Sequence, residues 1–276
     1  MQTLTMDFHD IEQMAQNMRR NILDISYSCN ASAHIGGALS MIEITATLYG
    51  RILRFDVDRP NWVDRDRFIL SKGHGALGYY SALLEVGIIS KRVFDSFQVN
   101  GSDLTAHPVM NMELGIESSN GSLGQGLSLA VGIALAAKKL GKKHKTYVLV
   151  GNGECNEGAI WEAAMSAAQF QLDNLVAIID NNGYQNDGDS REIMESHGIG
   201  IKWASFGWNL HSVDGHNIGE LHSALMDGHV KNKPTVIVAN TTKGKGVSFM
   251  ENNNDWHHNR LTEDVYNQAV TEMEQN

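Results

Sequence analysis

Two glycine-bracketed loops hold the residues best suited to chemistry. The first, Gly151-Asn152-Gly153-Glu154-Cys155-Asn156-Glu157-Gly158, follows the apolar run Thr146 to Val150 and precedes a helical segment. Glycines on either side of an amide side chain let the backbone come close to a ligand. A helix start adds unpaired N–H groups and a favourable dipole, both of which suit phosphate. The second loop, Asp180-Asn181-Asn182-Gly183-Tyr184-Gln185, follows the run Leu175 to Ile179 and places another pair of amide oxygens at the same sheet edge. Magnesium wants about six oxygens and usually takes only one or two from side chains. Two adjacent loops of this kind can therefore share one ion together with a phosphate. Either loop alone also reads as an ordinary turn, because Gly and Asn are turn formers.

Four further loops carry histidine: Ala33-His34-Ile35-Gly36-Gly37, Ser71-Lys72-Gly73-His74-Gly75, Thr105-Ala106-His107-Pro108 and Trp256-His257-His258. Turns of this sort present an imidazole for hydrogen bonding or proton transfer. His9, His144, His197, His211, His216, His222, His229 and His258 read instead as surface groups or satisfied buried ones. No His-Glu-x-x-His spacing occurs, and Cys29 and Cys155 stand far apart, so neither zinc nor a disulfide framework is indicated. Cys155 reads as a small filler.

The elements that must position these loops alternate. Phe68 to Leu70, Tyr147 to Val150, Leu175 to Ile179 and Thr235 to Ala239 are short, branched and apolar, as buried strands are. Ile11 to Tyr27, Met41 to Leu53, Leu77 to Val86, Leu123 to Leu140, Ala159 to Phe170 and Ile218 to Val230 carry helical spacing. The expected fold is α/β, a mostly parallel twisted sheet with helices on both faces and its functional loops at the carboxyl ends of the strands. With 276 residues, three prolines and no repeat, a single domain over residues 1–276 is the simplest reading. A net charge of −10 with scattered Lys and Arg excludes a nucleic-acid surface. Met1 to Gln13 lacks the make-up of a secretory signal and no stretch approaches membrane-spanning length, so the expected address is cytoplasmic, with no membrane partner.

The loop pair resembles the signature of thiamine-diphosphate enzymes. The fuller run through Asn156-Glu157-Gly158, Trp161-Glu162-Ala163 and Leu172-Asp173-Asn174-Leu175-Val176-Ala177-Ile178 is similar to transketolase in particular, as are the four histidine loops. The resemblance runs from about Asn17 to about Leu261. It implies the thiamine-diphosphate-binding fold, with thiamine diphosphate and Mg2+ (or Ca2+ or Mn2+) as cofactors. The metal ligands would be Asn152, the Asn182 side chain and the Tyr184 carbonyl, with Gly153 against the diphosphate. Asn152 stands where the family usually has aspartate, so this ligand brings no charge. His34 and His257 would face the sugar and the thiazolium, His74 the cofactor, and His107 the substrate channel. Gly121, Ser122 and Leu123, in the run Gly121 to Gly126, would lie against the aminopyrimidine and diphosphate, and Lys243 near the cofactor. By composition alone Lys243 reads as a solvated charge.

No segment resembles the family's pyrimidine-binding or C-terminal domains. The resemblance thus implies a second subunit carrying them, assembled as α2β2, with Glu157 in the network between subunits. The implied activity is transfer of a two-carbon ketol unit from a ketose to an aldose. Sugars or sugar phosphates are the substrates, including sulfonated ketoses or branched-sugar phosphates. Two other readings fit the loops: the alpha subunit of a 2-oxo acid dehydrogenase, and a non-catalytic regulatory paralogue whose metal site has decayed at Asn152.

Overall fold

The computed structural model describes residues 4–194 and 197–275. In chain order the helices and strands are α1 (Phe8–Ser28), α2 (Gly36–Leu39), α3 (Ile42–Thr47), β1 (Arg67–Leu70), α4 (Ala76–Glu85), α5 (Lys91–Phe94), α6 (Gln125–Lys139) and β2 (Thr146–Gly151). There follow α7 (Gly158–Gln169), β3 (Leu175–Asn181), α8 (Ser190–Ile193), α9 (Ile199–Ser205), β4 (Asn209–Asp214), α10 (Ile218–Asp227), β5 (Thr235–Asn240) and α11 (Glu263–Gln275). The five strands form one sheet in the order β1-β2-β3-β5-β4, and every pairing is parallel.

Alternation along the strands explains the two covering layers. Phe68, Leu70, Tyr147, Leu149, Val176, Ile178, Ile237 and Ala239 join the core beneath α1, α3, α4 and α10. Their neighbours Ile69, Val148, Val150, Ala177, Ile179, Val236 and Val238 join a second core with α6, α7 and α9. A parallel sheet buried on both faces must be apolar at nearly every position, which is why these four strands stand out in the sequence. The chain after β3 runs into α9 on one face, and the chain after β5 ends in α11, which packs on α1 at the other. The carboxyl ends of β3 and β5 thus flank a crevice, the usual place for a ligand in such sheets.

One expectation needs correcting and a second is refined. Asn209–Asp214 is a strand where the sequence suggests none: it pairs only with β5, is mostly half-buried, and its Asn-Leu-His-Ser-Val-Asp run lacks an apolar character. The helix expected over Met41 to Leu53 is present over Ile42–Ile52, its last turn widening into a π-helix at Leu48–Ile52.

Candidate active site

A buried carboxylate ties four loops together at the carboxyl edge of the sheet. Asp180, near the end of β3, pairs with Lys72 from the loop after β1, and both are almost wholly inaccessible. The Lys72 ammonium also donates to the Gly37 carbonyl at 2.8 Å. Asp180 accepts from Ser40 at 2.6 Å, from Thr241 after β5, and from the Asn182 amide at 3.2 Å. Burial pushes the carboxyl up, but Lys72 beside it and the hydroxyl donors outweigh that and hold it below the usual range. Glu154 does similar work one strand away, accepting from Ser71, from Gly124 N–H at 2.8 Å and from Gly151 N–H at 3.0 Å. Burial raises its pKa against the pull of these donors. Gly126 lets the start of α6 approach Ser71 closely, since a Cβ there would lie 2.7 Å from the Ser71 Cα.

These anchors aim the candidate ligands into a cavity of about 450 Å3, lined by residues that include Lys72, His74, Leu123, Asn152, Asn182, Tyr184, Lys243 and His257. Asn152 is buried, and its amide nitrogen donates to Ser190 at 2.8 Å, leaving Oδ1 uncommitted among the described residues. Asn182 donates its amide protons toward Asp180 and Ser40, so its oxygen faces the other way and accepts Tyr184 N–H at 3.1 Å. Of the expected Asn181-Asn182 pair only Asn182 serves this cavity; Asn181 donates sideways to Asn240 at 2.9 Å. No group of three His, Cys, Asp or Glu among the described residues is placed to hold a metal. A cation here would instead meet neutral amide and carbonyl oxygens and would need anionic oxygens from a ligand. That donor set fits a magnesium diphosphate, which supplies them.

Lys243 corrects the reading by composition: it is buried, not solvated. Its three ammonium protons go to the Asn254 side chain at 2.6 Å, the His257 Nδ1 at 2.9 Å and the Gln185 carbonyl at 3.2 Å. Burial, reinforced by Lys72, lowers its pKa to about 8. A lysine can only donate, so His257 accepts at Nδ1 and carries its proton on Nε2. His257 is thereby set as an N–H donor, and burial together with Lys243 pushes its pKa down to about 3.

The histidines gather at one mouth. The His34 ring lies 5.4 Å from His107, 5.5 Å from His257 and 5.7 Å from His74, and His74 lies 5.4 Å from His257. His34 falls to about 4 through burial and then the neighbouring His258 and His107. Burial first, then neighbouring charges, also lowers His74 strongly and His107 less. At neutral pH the group therefore offers uncharged imidazoles able to donate or accept. His258, expected to be an ordinary surface histidine, is exposed yet sits 4.4 Å from His34, ring to ring.

The remaining expected residues lie at the rim. Gly121 and Ser122 are exposed and do not line the cavity, whereas Leu123 does. The helix expected from Leu123 begins at Gln125, after Gly124 takes a left-handed φ of +85°. Gly153 lines the cavity, and a Cβ there would crowd Gln185 at 2.9 Å. Glu157 is exposed at the N-cap of α7, makes no capping bond, and faces the opening. Sequence reasoning misses Asp180, Lys72 and Glu154 as anchors. Their types give no signal, since ion pairs and carboxylates of this kind are recognisable only when distant loops meet.

A parallel α/β sheet with amide oxygens, loop amides and imidazoles converging on its carboxyl edge defines a cofactor-binding enzyme domain. The family model for the transketolase thiamine diphosphate binding domain matches residues 11–274. An apulose-4-phosphate transketolase subunit from Actinobacillus succinogenes is 40% identical over 273 residues, 99% of each chain. The 6-deoxy-6-sulfo-D-fructose transketolase subunit SqwG of a Clostridium species is 43% identical over 242 residues, 87% of this chain and 88% of its own. The crystal structure of transketolase from Campylobacter jejuni superposes with a TM-score of 0.90 at 30% identity, covering 98% of this chain. This chain spans only 43% of that transketolase. The chain belongs to the transketolase family, within its thiamine-diphosphate-binding domain.

Proposed function

We propose that this chain is the diphosphate-binding subunit of a two-part transketolase, moving a two-carbon ketol unit from a ketose to an aldose. The observation that carries this is the convergence of Asn152, Asn182, Tyr184, Lys243 and His257 on one cavity beside a row of neutral imidazoles. Asn152, Asn182 and the Tyr184 carbonyl would hold Mg2+, or Ca2+ or Mn2+ in its place, with Gly153 and Leu123 against the cofactor. Thiamine diphosphate, when bound, supplies the nucleophilic carbon that attacks the ketose carbonyl. His257, fixed as an Nε2–H donor by Lys243, is placed to stabilise charge developing on substrate oxygen. His34, His74 and His107 bind and orient hydroxyl groups through the same neutral rings. Lys243 has spent its three protons, so it acts by its charge and through His257.

In this reading residues 1–276 act as one domain, and the pyrimidine-binding and C-terminal domains come from a partner, with an α2β2 assembly. The Glu157 side chain, exposed at the mouth and making no capping bond, is available for that contact. The substrate class follows from relatives named for a branched-sugar phosphate and a sulfonated ketose, so an uncommon charged ketose is the expected donor. Charged sugars of this kind are retained within cells, and a cytoplasmic address accords with them. No helix among the described residues is long and apolar enough to cross a membrane. The imidazole row favours ketol transfer over 2-oxo acid decarboxylation, which has no sugar hydroxyls to hold. The test is reconstitution with the completing subunit, thiamine diphosphate and Mg2+. Ketol transfer appearing only in the mixture supports the reading; decarboxylation of a 2-oxo acid, or no cofactor-dependent turnover, refutes it.

A further inference from the structure

The imidazole row has a fifth member that the family resemblance does not assign. The His258 ring lies 4.4 Å from His34, nearer than His107, His257 or His74. The backbone enforces this pairing. Ala33 and Asn259, each next in sequence to one of the two histidines, form an isolated antiparallel bridge with reciprocal N–H···O bonds of 2.9 and 3.1 Å. Arg260 adds a side-chain bond to Asn30, joining the same two segments again. His34 and His258 are thus held together by main-chain geometry, without relying on side-chain packing.

The row also has a direction. His74 and His257 line the cavity, His34 and His107 lie half-buried outside its lining, and His258 is exposed at the outer end. An open-chain sugar with its carbonyl at the cavity must pass His34 with its remaining hydroxyls. We propose that His258 is a further substrate-contacting residue, paired with His34 to read the part of the sugar chain remote from the reacting carbonyl. This rests on the ketol-transfer reading above. The groups facing the pair are His74, His107, His257 and Lys243 within the site and Arg260 beside it, with Asp255 on the turn leading to His258. Burial, His258 and His107 keep His34 near pKa 4, so the pair meets hydroxyls with an uncharged inner ring that both donates and accepts.

The test uses the chain assembled with its completing subunit, thiamine diphosphate and Mg2+, as wild type, His258→Ala and His258→Asn. With ribose 5-phosphate as acceptor, His258→Ala should raise KM about tenfold with kcat within twofold, the loss of one ordinary hydrogen bond. Glycolaldehyde is too short to reach the outer ring, and its KM should stay within twofold. His258→Asn, which keeps a donor and an acceptor, should recover part of the loss. Equal changes for both acceptors, or none, would overturn the proposal. A second readout needs no turnover. In 15N-histidine spectra of the assembled protein, ribose 5-phosphate should shift the His258 resonance, and His258→Ala should raise the His34 titration midpoint. An unshifted His258 resonance overturns the proposal even in an active enzyme. Absent ketol transfer, by contrast, overturns the function while the spectra still decide the pairing.

Discussion

Replacing Asp180 by asparagine should destabilise the protein while leaving its surface unchanged. The carboxylate is the shared acceptor for Lys72, Ser40, Thr241 and Asn182, and it is completely buried. Asp180→Asn keeps the shape but leaves the Lys72 ammonium without its counter-charge and turns two acceptor oxygens into one. Breaking a buried pair in this one-sided way costs about 3–5 kcal/mol. Unfolding entropy of about 2.1 cal/mol/K per residue gives roughly 0.6 kcal/mol/K for 276 residues, so Tm should fall by about 5–9 °C. Differential scanning calorimetry without cofactor measures this directly. The pH dependence has a definite sign. The folded pKa lies below the unfolded value, so this contribution is complete above the usual carboxylate range and is lost as pH falls through the folded pKa. The wild-type Tm advantage over Asp180→Asn should therefore hold at pH 7 and shrink below about pH 4. A Tm unchanged by the substitution at pH 7 would refute the claim that this pair anchors the loops.

Two further outcomes test the site itself. Asn152→Asp should keep or raise Mg2+ affinity in the assembled enzyme, because a carboxylate oxygen replaces the amide oxygen that Ser190 leaves uncommitted. Loss of cofactor binding in calorimetry would count against Asn152 as a ligand. Lys243, lowered to about 8, is charged below that pH and neutral above it. Thiamine diphosphate affinity should therefore weaken as pH rises through about 8, and Lys243→Met should flatten that dependence; an identical pH profile in the variant would refute it.

The parts of the structure legible in sequence are those whose signal is local. Strands buried on both faces must be continuous apolar runs, so β1, β2, β3 and β5 are readable, and the loops at their ends follow. Asn209–Asp214 is not, because an edge strand needs apolar residues only where it packs, and half-buried Leu210 and Val213, with His211, satisfy it. The site divides in the same way. Asn152, Asn182 and the histidine loops carry their chemistry in short motifs, and the structure brings most of them to one mouth. Lys72 and Asp180 stand 108 positions apart, and Lys243 meets Gln185 across 58, so nothing near either lysine marks it as buried. His258 escapes notice for a related reason: its partner His34 is brought to it by the Ala33–Asn259 bridge, which sequence spacing does not reveal. Gly121 and Ser122 lie at the rim, outside the cavity lining. Their proposed cofactor contact would depend on what closes over that rim.

On the function proposed above, the amide oxygens at the ends of β2 and β3 hold a metal diphosphate. Calorimetric titration of thiamine diphosphate into the assembled enzyme, with and without Mg2+, measures it most directly. Saturable, Mg2+-dependent binding is expected, weakening at least about tenfold in Asn182→Ala, as for the loss of one group supporting a metal site. Binding that ignores Mg2+, or an Asn182→Ala variant that binds as tightly as wild type, would contradict it.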